Sequence, residues 1–246
     1  MNKSIVSLTL FLSLTSLSFA QFGNIKLPSS VESIAKGGGT SGLSDTDIVN
    51  GLKEALTKGA QTASQTLNKT DGYNGDPLVR IPFPQELAHV EKTLREIGLG
   101  SQVDEFIVLL NRSAEQAAVE AAPIFVNAVK DMSFQDAKSI LTGPDTAATG
   151  YLRKATYSSL FSAFSPHIKS AMDKNAVAAK WTPLADAYNK LPTTRTKVNP
   201  DLVAFTTNKA LSGLFVKVAA EEANIRNNPA ARTSDILKKV FGSQGK

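Results

Sequence analysis

The amino-acid sequence predicts an all-α fold of about eight helices in a single domain. Apolar residues recur at spacings of three and four through most of the chain, which is the period of an amphipathic helix. No segment alternates apolar and polar residues over the length of a strand. Serine, asparagine, glycine and proline interrupt the pattern at positions typical of helix ends.

Ordered structure is expected to begin at Ser44, after a flexible tether over residues 21–43. The tether is rich in glycine and serine, and its low apolar content cannot offset the entropy of ordering. Ser44 is a good N-cap, and Asp47 three residues later resembles a capping box. The following helix places these residues on one face: Ile48, Leu52, Ala55, Leu56, Gly59 and Ala63.

The segment between the first two helices is rich in turn residues and prolines. Residues 69–77 form a cluster of polar residues, glycine and proline that predicts a turn. Residues 78–83, bounded by prolines, are expected to be extended without pairing as a sheet strand.

Helices are then expected over residues 85–97 and 101–121. The second has a seam suited to close packing, formed by Val103, Ile107, Leu110, Ala114, Ala117 and Ala121. Pro123 is expected to kink or restart the chain before a helix over 124–132. Ser133 caps the next helix, which ends at Gly143.

The C-terminal half continues the same pattern. Helices are predicted over 144–164, 166–176 and 182–190, followed by a loop over 192–197. The sequence Asn199-Pro200-Asp201 caps a long helix that runs to about Arg226, and a short amphipathic helix ends at Phe241. The predicted domain therefore covers residues 44–242, with a frayed C-terminus over 243–246.

Residues 1–20 are typical of a cleavable export signal. Lys3 precedes an apolar stretch over 5–17, and small residues, Ser18 and Ala20, precede the predicted cleavage between Ala20 and Gln21. Serine and threonine interrupt the apolar stretch, which favours a signal over the alternative of an uncleaved anchor. No cysteine follows the cut, so the chain is not predicted to be a lipoprotein.

Composition limits the possible functions. The net charge is +5, or +4 once Lys3 is removed with the signal, and it is spread along the chain. Nucleic-acid-binding proteins concentrate basic charge, so no nucleic-acid partner is expected. The absence of cysteine excludes disulfides, thiolate zinc sites and cysteine nucleophiles. No second apolar run is long enough to span a membrane, so no transmembrane segment is expected after cleavage.

Several stretches carry a family resemblance: KTDGY at 69–73, NRSAEQAA at 111–118, ILTGPD at 140–145 and NPAARTSDILKKVFG at 228–242. With these motifs, the chain from Leu43 to Gly242 resembles the bacterial domain-of-unknown-function family DUF4197. The resemblance implies a single helical domain, exported in bacteria with a cell envelope, without established activity, cofactor or catalytic residues. The expected location is therefore the periplasm. Some members carry a lipoprotein cysteine, which this chain lacks.

Two short motifs resemble known catalytic or cofactor signatures. Residues 37–42 have the spacing G-x-G-x-x-G, but a dinucleotide-binding loop must lie between a buried strand and a helix. Residues 33–36 match a serine–lysine spacing, but the companion Ser-Asp-Asn and Lys-Thr-Gly motifs are missing. Both matches are interpreted as chance, and no cofactor is predicted.

No metal site is predicted either. The two histidines, His89 and His167, have no second histidine or carboxylate at helical ligand spacing. Oxygen ligands for calcium are present at Asp71, Asn74 and Asp76, but the twelve-residue loop with its closing glutamate is not. A plain turn is the favoured interpretation of this segment.

Glu221 contradicts its local pattern. The apolar face of the helix over 199–226 contains Val203, Ala210, Leu214, Val218 and Ile225. Glu221 falls on that face, where a carboxylate must be paired, neutral or facing a cavity. Arg112 and Arg153 are the candidate partners. The alternatives are that the helix leaves the core before Glu221, or that Glu221 lines a functional pocket.

Further polar residues are candidates for the same pocket. Asp104, Asn111 and Glu115 form a row along the 101–121 helix at offsets of seven and four. Asp71 and Tyr73, in the first large turn, are candidates for its rim. A solvated helix flank and a loop aromatic packed on the domain are the structural alternatives.

Two classes of function remain. The favoured class is a non-enzymatic envelope protein that binds a partner protein, a lipid or a small ligand between helices. The alternative is a hydrolase or lyase that uses carboxylates such as Glu115 and Glu221 as general acid and base. That alternative requires two carboxylates converging in a water-accessible pocket.

Overall fold

A computed structural model describes residues 44–192, 194, 197–198 and 200–242, except for the side chains of Lys239 and Gly242. The predicted signal, the predicted tether and residues 243–246 lie outside the described residues. Within them the regular secondary structure is helical and there is no strand, which confirms the predicted all-α class. The described residues belong to one compact unit.

The described residues form nine α-helices joined by turns and three short 3₁₀ segments. In chain order the helices are α1 (Asp45–Leu67), α2 (Ala88–Glu96), α3 (Gly100–Ala117), α4 (Ala121–Lys130), α5 (Phe134–Thr142), α6 (Ala147–Lys174), α7 (Val177–Asn189), α8 (Leu202–Asn227) and α9 (Asp235–Gly242). The 3₁₀ segments are Gln85–Leu87, Ala118–Glu120 and Pro229–Ala231.

Local capping chemistry sets the starts of three helices. Ser44 and Ser133 each form a complete capping box, with Asp47 and Asp136 respectively. The side chain of Asp201 accepts a hydrogen bond from the Ala204 N–H (2.9 Å) at the start of α8. These three predicted caps are confirmed. They could be predicted because each depends on residues only three positions apart.

Two predicted boundaries are wrong. The helices expected over 144–164 and 166–176 are one helix, α6, which continues through Pro166. Proline removes only the hydrogen bond to the carbonyl of Ser162, and Ser162 is exposed, so water can replace that bond. Helix α7 begins at Val177 rather than 182. It follows Ala176 directly, whose left-handed φ of 53° separates α7 from the end of α6.

The core lies between the long helices. Helix α6 packs against α3 and α8, and α1 packs against α4, α8 and α9. Large aromatic residues fill the centre: Phe106, Phe125, Phe164 and Phe215 are all fully buried. None of the described helices is both long and apolar enough to cross a membrane.

Candidate functional site

Five of the predicted polar residues meet where the turn segment 68–83 lies on α3: Asp71, Tyr73, Asn111, Arg112 and Glu115. We call this group the loop clamp. Glu115 is its centre, because its Oε1 accepts the N–H groups of Tyr73 and Asn74, both at 3.2 Å. Its Oε2 accepts Arg112 at 2.7 Å.

Arg112 connects the buried carboxylate to the surface. Its second guanidinium nitrogen donates to Asp71 Oδ1 at 2.8 Å, and Asn74 donates to the same oxygen at 3.0 Å. The hydrogen bonds from Asn74 and then from Arg112 lower the pKa of Asp71. Asp71 has a left-handed φ of 64°, a region that aspartate tolerates better than most residues.

Tyr73 is buried, and its hydroxyl donates to the carbonyl of Ala210 on α8 at 2.8 Å. Burial, and then the charge of Glu115, raise the pKa of this phenol, so it stays protonated. A Cβ at Gly213 would lie 2.8 Å from Cε1 of Tyr73, so glycine is needed where the ring crosses α8. Tyr73 therefore joins the turn segment to two helices.

Asn111 holds the extended part of the same segment. Its side chain accepts the N–H of Ile81 and donates to the carbonyl of Ile81, both at 2.8 Å. The same amide also donates to the carbonyl of Ile107 at 2.8 Å. The amide thus satisfies buried backbone groups that have no strand to pair with.

Asp104 and Arg153 lie outside the loop clamp. Asp104 accepts Arg95 at 2.7 Å, and Arg95 also pairs with Glu91 at 2.8 Å, forming a surface network. The hydrogen bond from Arg95 lowers the pKa of Asp104. Arg153 is exposed and lies over the Phe215 ring, 4.5 Å from its centroid. Neither residue contributes to a shared pocket with Glu115.

The prediction that Glu221 is the buried carboxylate is wrong by one residue. Glu221 is half-buried, and its Cβ lies over Gly59 of α1, whereas Glu222 is only 8% exposed. The buried stripe of α8 runs through Leu211, Phe215, Val218, Glu222 and Ile225. Both glutamates follow Val218 at a helical spacing, so the period alone does not choose between them.

Glu222 caps the N-terminus of α6. It accepts the N–H of Ala148 at 3.0 Å, and both the N–H and the hydroxyl of Thr149 at 2.8 Å. A carboxylate at this position satisfies unpaired N–H groups and interacts favourably with the helix dipole. The expected arginine partner is neither Arg112 nor Arg153 but Arg226, one turn further along α8, at 3.0 Å.

The two buried carboxylates therefore serve separate structural contacts. Arg226 also donates to the carbonyl of Ile140 at 2.9 Å, so its ion pair with Glu222 joins α5, α6 and α8. A narrow cavity of about 20 Å³ lies beside Glu222 and Arg226, which is room for about one water molecule. Glu222 lines this cavity and Glu115 does not, and a volume of this size does not admit a substrate.

The possible metal ligands are engaged by cations or stand apart. Asp71 pairs with Arg112, Asp76 pairs with Lys217, and the side-chain oxygen of Asn74 accepts Arg80, so each of the three residues considered for calcium already contacts a cation. His167 lies 3.6 Å from Glu120, and His89 lies edge-on to Tyr188. Across the part of the chain that the structure describes, no three histidine or acidic side chains converge on a metal position.

A larger concave surface lies between the start of α2 and the start of α8. We call it the α2–α8 groove; its volume is about 660 Å³, within the range of ligand sites. Its lining consists of Pro84, Glu86, Leu87, His89, Lys197, Val198, Pro200, Asp201, Phe205, Asn208 and Lys209. Sequence reasoning missed it because its two walls are more than a hundred residues apart in the chain.

The walls of the groove are held in place by side-chain contacts. Asn189 at the end of α7 accepts the N–H of Val198 at 3.0 Å, and Asp201 caps α8. Lys209 extends over the Phe205 ring, with its Nζ 5.8 Å from the centroid. Asn208 accepts the hydroxyl of Tyr157 at 2.8 Å, which fixes this wall to α6.

The fold and these sites define an all-α domain. Its two buried polar clusters, around Glu115 and Glu222, consist of paired groups, and an open groove lined by apolar and charged residues lies on its surface. The chain belongs to the family described as a protein of unknown function, DUF4197, whose profile matches residues 42–242. The resemblance seen in the sequence is thereby confirmed. No curated protein and no solved structure matches the chain.

Proposed function

We propose that this protein is a non-enzymatic binding protein of the bacterial envelope, and that it holds a polypeptide segment of a partner protein in the α2–α8 groove. The observation that carries the proposal is the groove itself, whose lining combines apolar and charged residues. Leu87, Val198 and Phe205 line it and are half-buried, with aliphatic or aromatic surface open to a partner.

The charges on the walls favour a polypeptide. Lys197 and Lys209 provide positive charge, whereas Glu86 and Asp201 provide negative charge. A segment with one large apolar side chain between an acidic and a basic residue would complement both the apolar and the charged residues of the lining. A purely anionic ligand would meet the two carboxylates as well as the lysines.

Cavity size disfavours a lipid chain. The narrow cavity beside Glu222 has about 20 Å³, whereas sites that enclose drug-sized ligands have about 300–1,000 Å³. The α2–α8 groove is larger but open, so it would leave much of an acyl chain in water. An extended peptide tolerates such partial exposure because its backbone can remain hydrated.

The alternative of carboxylate acid–base catalysis receives less support from the geometry. Glu115 is bonded to Arg112 and two backbone N–H groups, and Glu222 to Arg226 and the start of α6. Acid–base catalysis requires a carboxylate within reach of a substrate proton. Each of these carboxylates instead has its oxygens occupied by structural donors.

Photo-crosslinking from the groove tests this function. A photoreactive phenylalanine analogue at position 205 should yield a covalent adduct with a peptide when the protein is irradiated in envelope extract. The same analogue at position 134 is the matched control, because Phe134 is also on the surface (44% exposed) but does not line the groove. Mass spectrometry of the adduct should identify a peptide; a lipid adduct, or equal yields at both positions, would contradict the proposal.

Export is a separate part of the proposal. Residues 1–20 direct the chain out of the cytoplasm, signal peptidase cuts after Ala20, and residues 21–43 tether the domain. N-terminal sequencing of protein recovered from the periplasmic fraction should begin at Gln21. Recovery of the chain in the membrane with Met1 intact would contradict cleavage.

A further inference from the structure

One wall of the α2–α8 groove comes from the start of α8. Asp201, Phe205 and Lys209 follow one another at intervals of four residues, and all three line the groove. Because an α-helix rises about 1.5 Å per residue, neighbouring members of this set are about 6 Å apart along the helix axis. The wall therefore presents a carboxylate, an aromatic ring and an ammonium group in a fixed order.

The ammonium group of this wall has no anion of its own. Lys209 lies over the Phe205 ring, with its Nζ 5.8 Å from the centroid, and no carboxylate of the described residues forms an ion pair with it. Lys217, two turns further along the same helix, is by contrast paired with Asp76. Lys209 is half-buried, so its charge remains accessible to a ligand that lies on the ring.

An oriented amide lies beside the ring and the ammonium group. The Oδ1 of Asn208 accepts the hydroxyl of Tyr157 at 2.8 Å, and this bond fixes the amide because a hydroxyl hydrogen is accepted by the oxygen rather than by the nitrogen. Among the described residues, the Nδ2 hydrogens of Asn208 have no acceptor. Asn208 is exposed and lines the groove, so its amide can donate to a carbonyl oxygen of a bound chain.

The spacing of these groups matches that of an extended polypeptide. In an extended chain, side chains at alternate positions lie on the same side, about 6.7 Å apart, whereas adjacent side chains point to opposite sides. This distance is close to the 5.8 Å between Lys209 Nζ and the centre of the Phe205 ring. Two side chains of an extended ligand that contact both residues at once are therefore two positions apart in its sequence.

A helical ligand fits the same wall less well. Side chains four positions apart on a helix are also separated by about 6 Å, so distance alone does not distinguish the two conformations. The carbonyl oxygens in a helix interior, however, accept hydrogen bonds from the helix itself. An extended segment keeps its carbonyl oxygens available, and each of them needs a donor where the ligand leaves water. The free amide of Asn208 thus favours an extended ligand.

We propose that the α2–α8 groove selects an extended segment with an acidic residue two positions from a large apolar residue, and that Lys209 determines this specificity. The apolar side chain packs on Phe205, the acidic side chain pairs with Lys209, and Asn208 donates to a backbone carbonyl of the segment. A basic residue two positions on the other side of the apolar residue faces Asp201. This inference rests on the proposed function and adds the sequence pattern that the partner carries, which either chain direction satisfies.

Selection from a library of random short peptides displayed on phage reads the pattern directly. The unaltered full chain should enrich peptides with the basic, apolar and acidic residues at alternate positions, and Phe205→Ala, checked by circular dichroism to be folded, should not. No enrichment above Phe205→Ala would contradict the proposed function, and this inference with it. Peptides that depend on Phe205 but carry the acidic residue at another spacing, such as the three or four positions of a helix, would overturn this inference alone.

Charge reversal tests the role of Lys209. By fluorescence anisotropy, Lys209→Glu should bind a synthetic peptide of the enriched sequence about tenfold more weakly, because like charges then meet. A peptide with lysine in place of its acidic residue should bind Lys209→Glu about tenfold better than it binds the unaltered chain. The matched control is Lys154→Glu, since Lys154 is exposed on α6 and does not line the groove; a change under about twofold is expected. Failure of the lysine peptide to restore binding, or equal losses for Lys209→Glu and Lys154→Glu, would overturn the assignment of Lys209.

Discussion

Glu115 and Glu222 are both buried carboxylates, yet Glu115 holds a turn segment in place whereas Glu222 joins two helices. Glu115 pairs with Arg112 on its own helix and binds a turn about forty residues earlier. Glu222 pairs with Arg226 on its own helix and caps α6, whose first residues lie 73 and 74 positions earlier. One carboxylate holds an irregular segment against a helix, whereas the other joins two of the longest helices of the domain.

The two sites also differ in their contact with solvent. The side chain of Arg112 is 28% exposed and shares Asp71 as a second anion, whereas the side chain of Arg226 is 10% exposed. Removing Glu115 therefore leaves a cation with another partner and access to water. Removing Glu222 leaves a cation that is nearly buried and whose remaining contact is with a neutral group, the Ile140 carbonyl. The comparison predicts unequal losses of stability from chemically identical substitutions.

The largest effect is expected for Glu222→Ala, which should lower the free energy of unfolding by about 3–5 kcal/mol. The substitution leaves Arg226 without its anion and the first N–H groups of α6 without an acceptor. Glu222→Gln should cost less because the amide retains an acceptor oxygen. Urea denaturation measures both, and Glu221→Ala is the neighbouring control, with an expected loss under about 1 kcal/mol. Equal losses at the two glutamates would show that the cap is not the source of the effect.

A smaller loss, about 2–3 kcal/mol, is expected for Glu115→Ala. The N–H groups of Tyr73 and Asn74 lose their acceptor, but Arg112 keeps its contact with Asp71. The turn segment 68–83 should also become more sensitive to limited proteolysis, because the clamp that holds it has lost its centre. Glu105→Ala is the control on the same helix: Glu105 pairs with Lys180 at the surface, so a loss under about 1 kcal/mol is expected. A loss larger than that of Glu222→Ala would reverse the ranking of the two sites.

Tyr73→Phe isolates one bond of the loop clamp and should cost about 1 kcal/mol. The ring keeps its packing against Gly213, and only the hydrogen bond from the hydroxyl to the Ala210 carbonyl is lost. Chemical denaturation compares it with Tyr73→Ala, which removes the ring and should cost several times more. Similar losses for both variants would assign the stabilisation to the hydroxyl rather than to the ring.

The smallest effect concerns Asp76, whose pKa is lowered by its hydrogen bond with Lys217 and then by the Leu78 N–H. The pKa in the folded state lies below the ordinary value of 3.8, so the unfolded chain takes up its proton first as the pH falls. The contribution of Asp76 is therefore present above that value and lost below it. Asp76→Asn should destabilise the protein by less than about 1 kcal/mol at about pH 6, and the difference should shrink toward about pH 3. A difference that is independent of pH would exclude the ion pair as its cause.

The fold class, the family and several helix boundaries could be predicted from the sequence because their signals are local. The capping boxes at Ser44 and Ser133 depend on residues three positions apart. By contrast, Pro166 was expected to end a helix, since the sequence alone does not show that Ser162 faces solvent. Ala176 was missed as the start of a helix because it offers no side-chain cap.

The candidate sites were predicted in part for a related reason. Asn111 and Glu115 could be grouped from their spacing on one helix, and Asp71 and Tyr73 from their common turn, whereas Arg112 was expected to pair with Glu221 and pairs with Glu115 instead. Choosing between Glu221 and Glu222 required the position of the α6 N-terminus, which lies more than seventy residues away in the chain. The α2–α8 groove depends in the same way on the packing of distant segments.

The position of Glu222 has a consequence for the order in which the molecule is completed. During synthesis from the N-terminus, α6 emerges before the residue that caps it, and α1 emerges long before α8 and α9, the helices that cover it. Contacts between such distant segments form late because the intervening chain must first be closed into a loop. The packing of α1 against α8 and α9 therefore cannot be completed until residues 202–242 have been synthesised. For a chain that is exported as we propose, late folding keeps the polypeptide unfolded and able to be translocated across the membrane until its synthesis is nearly complete.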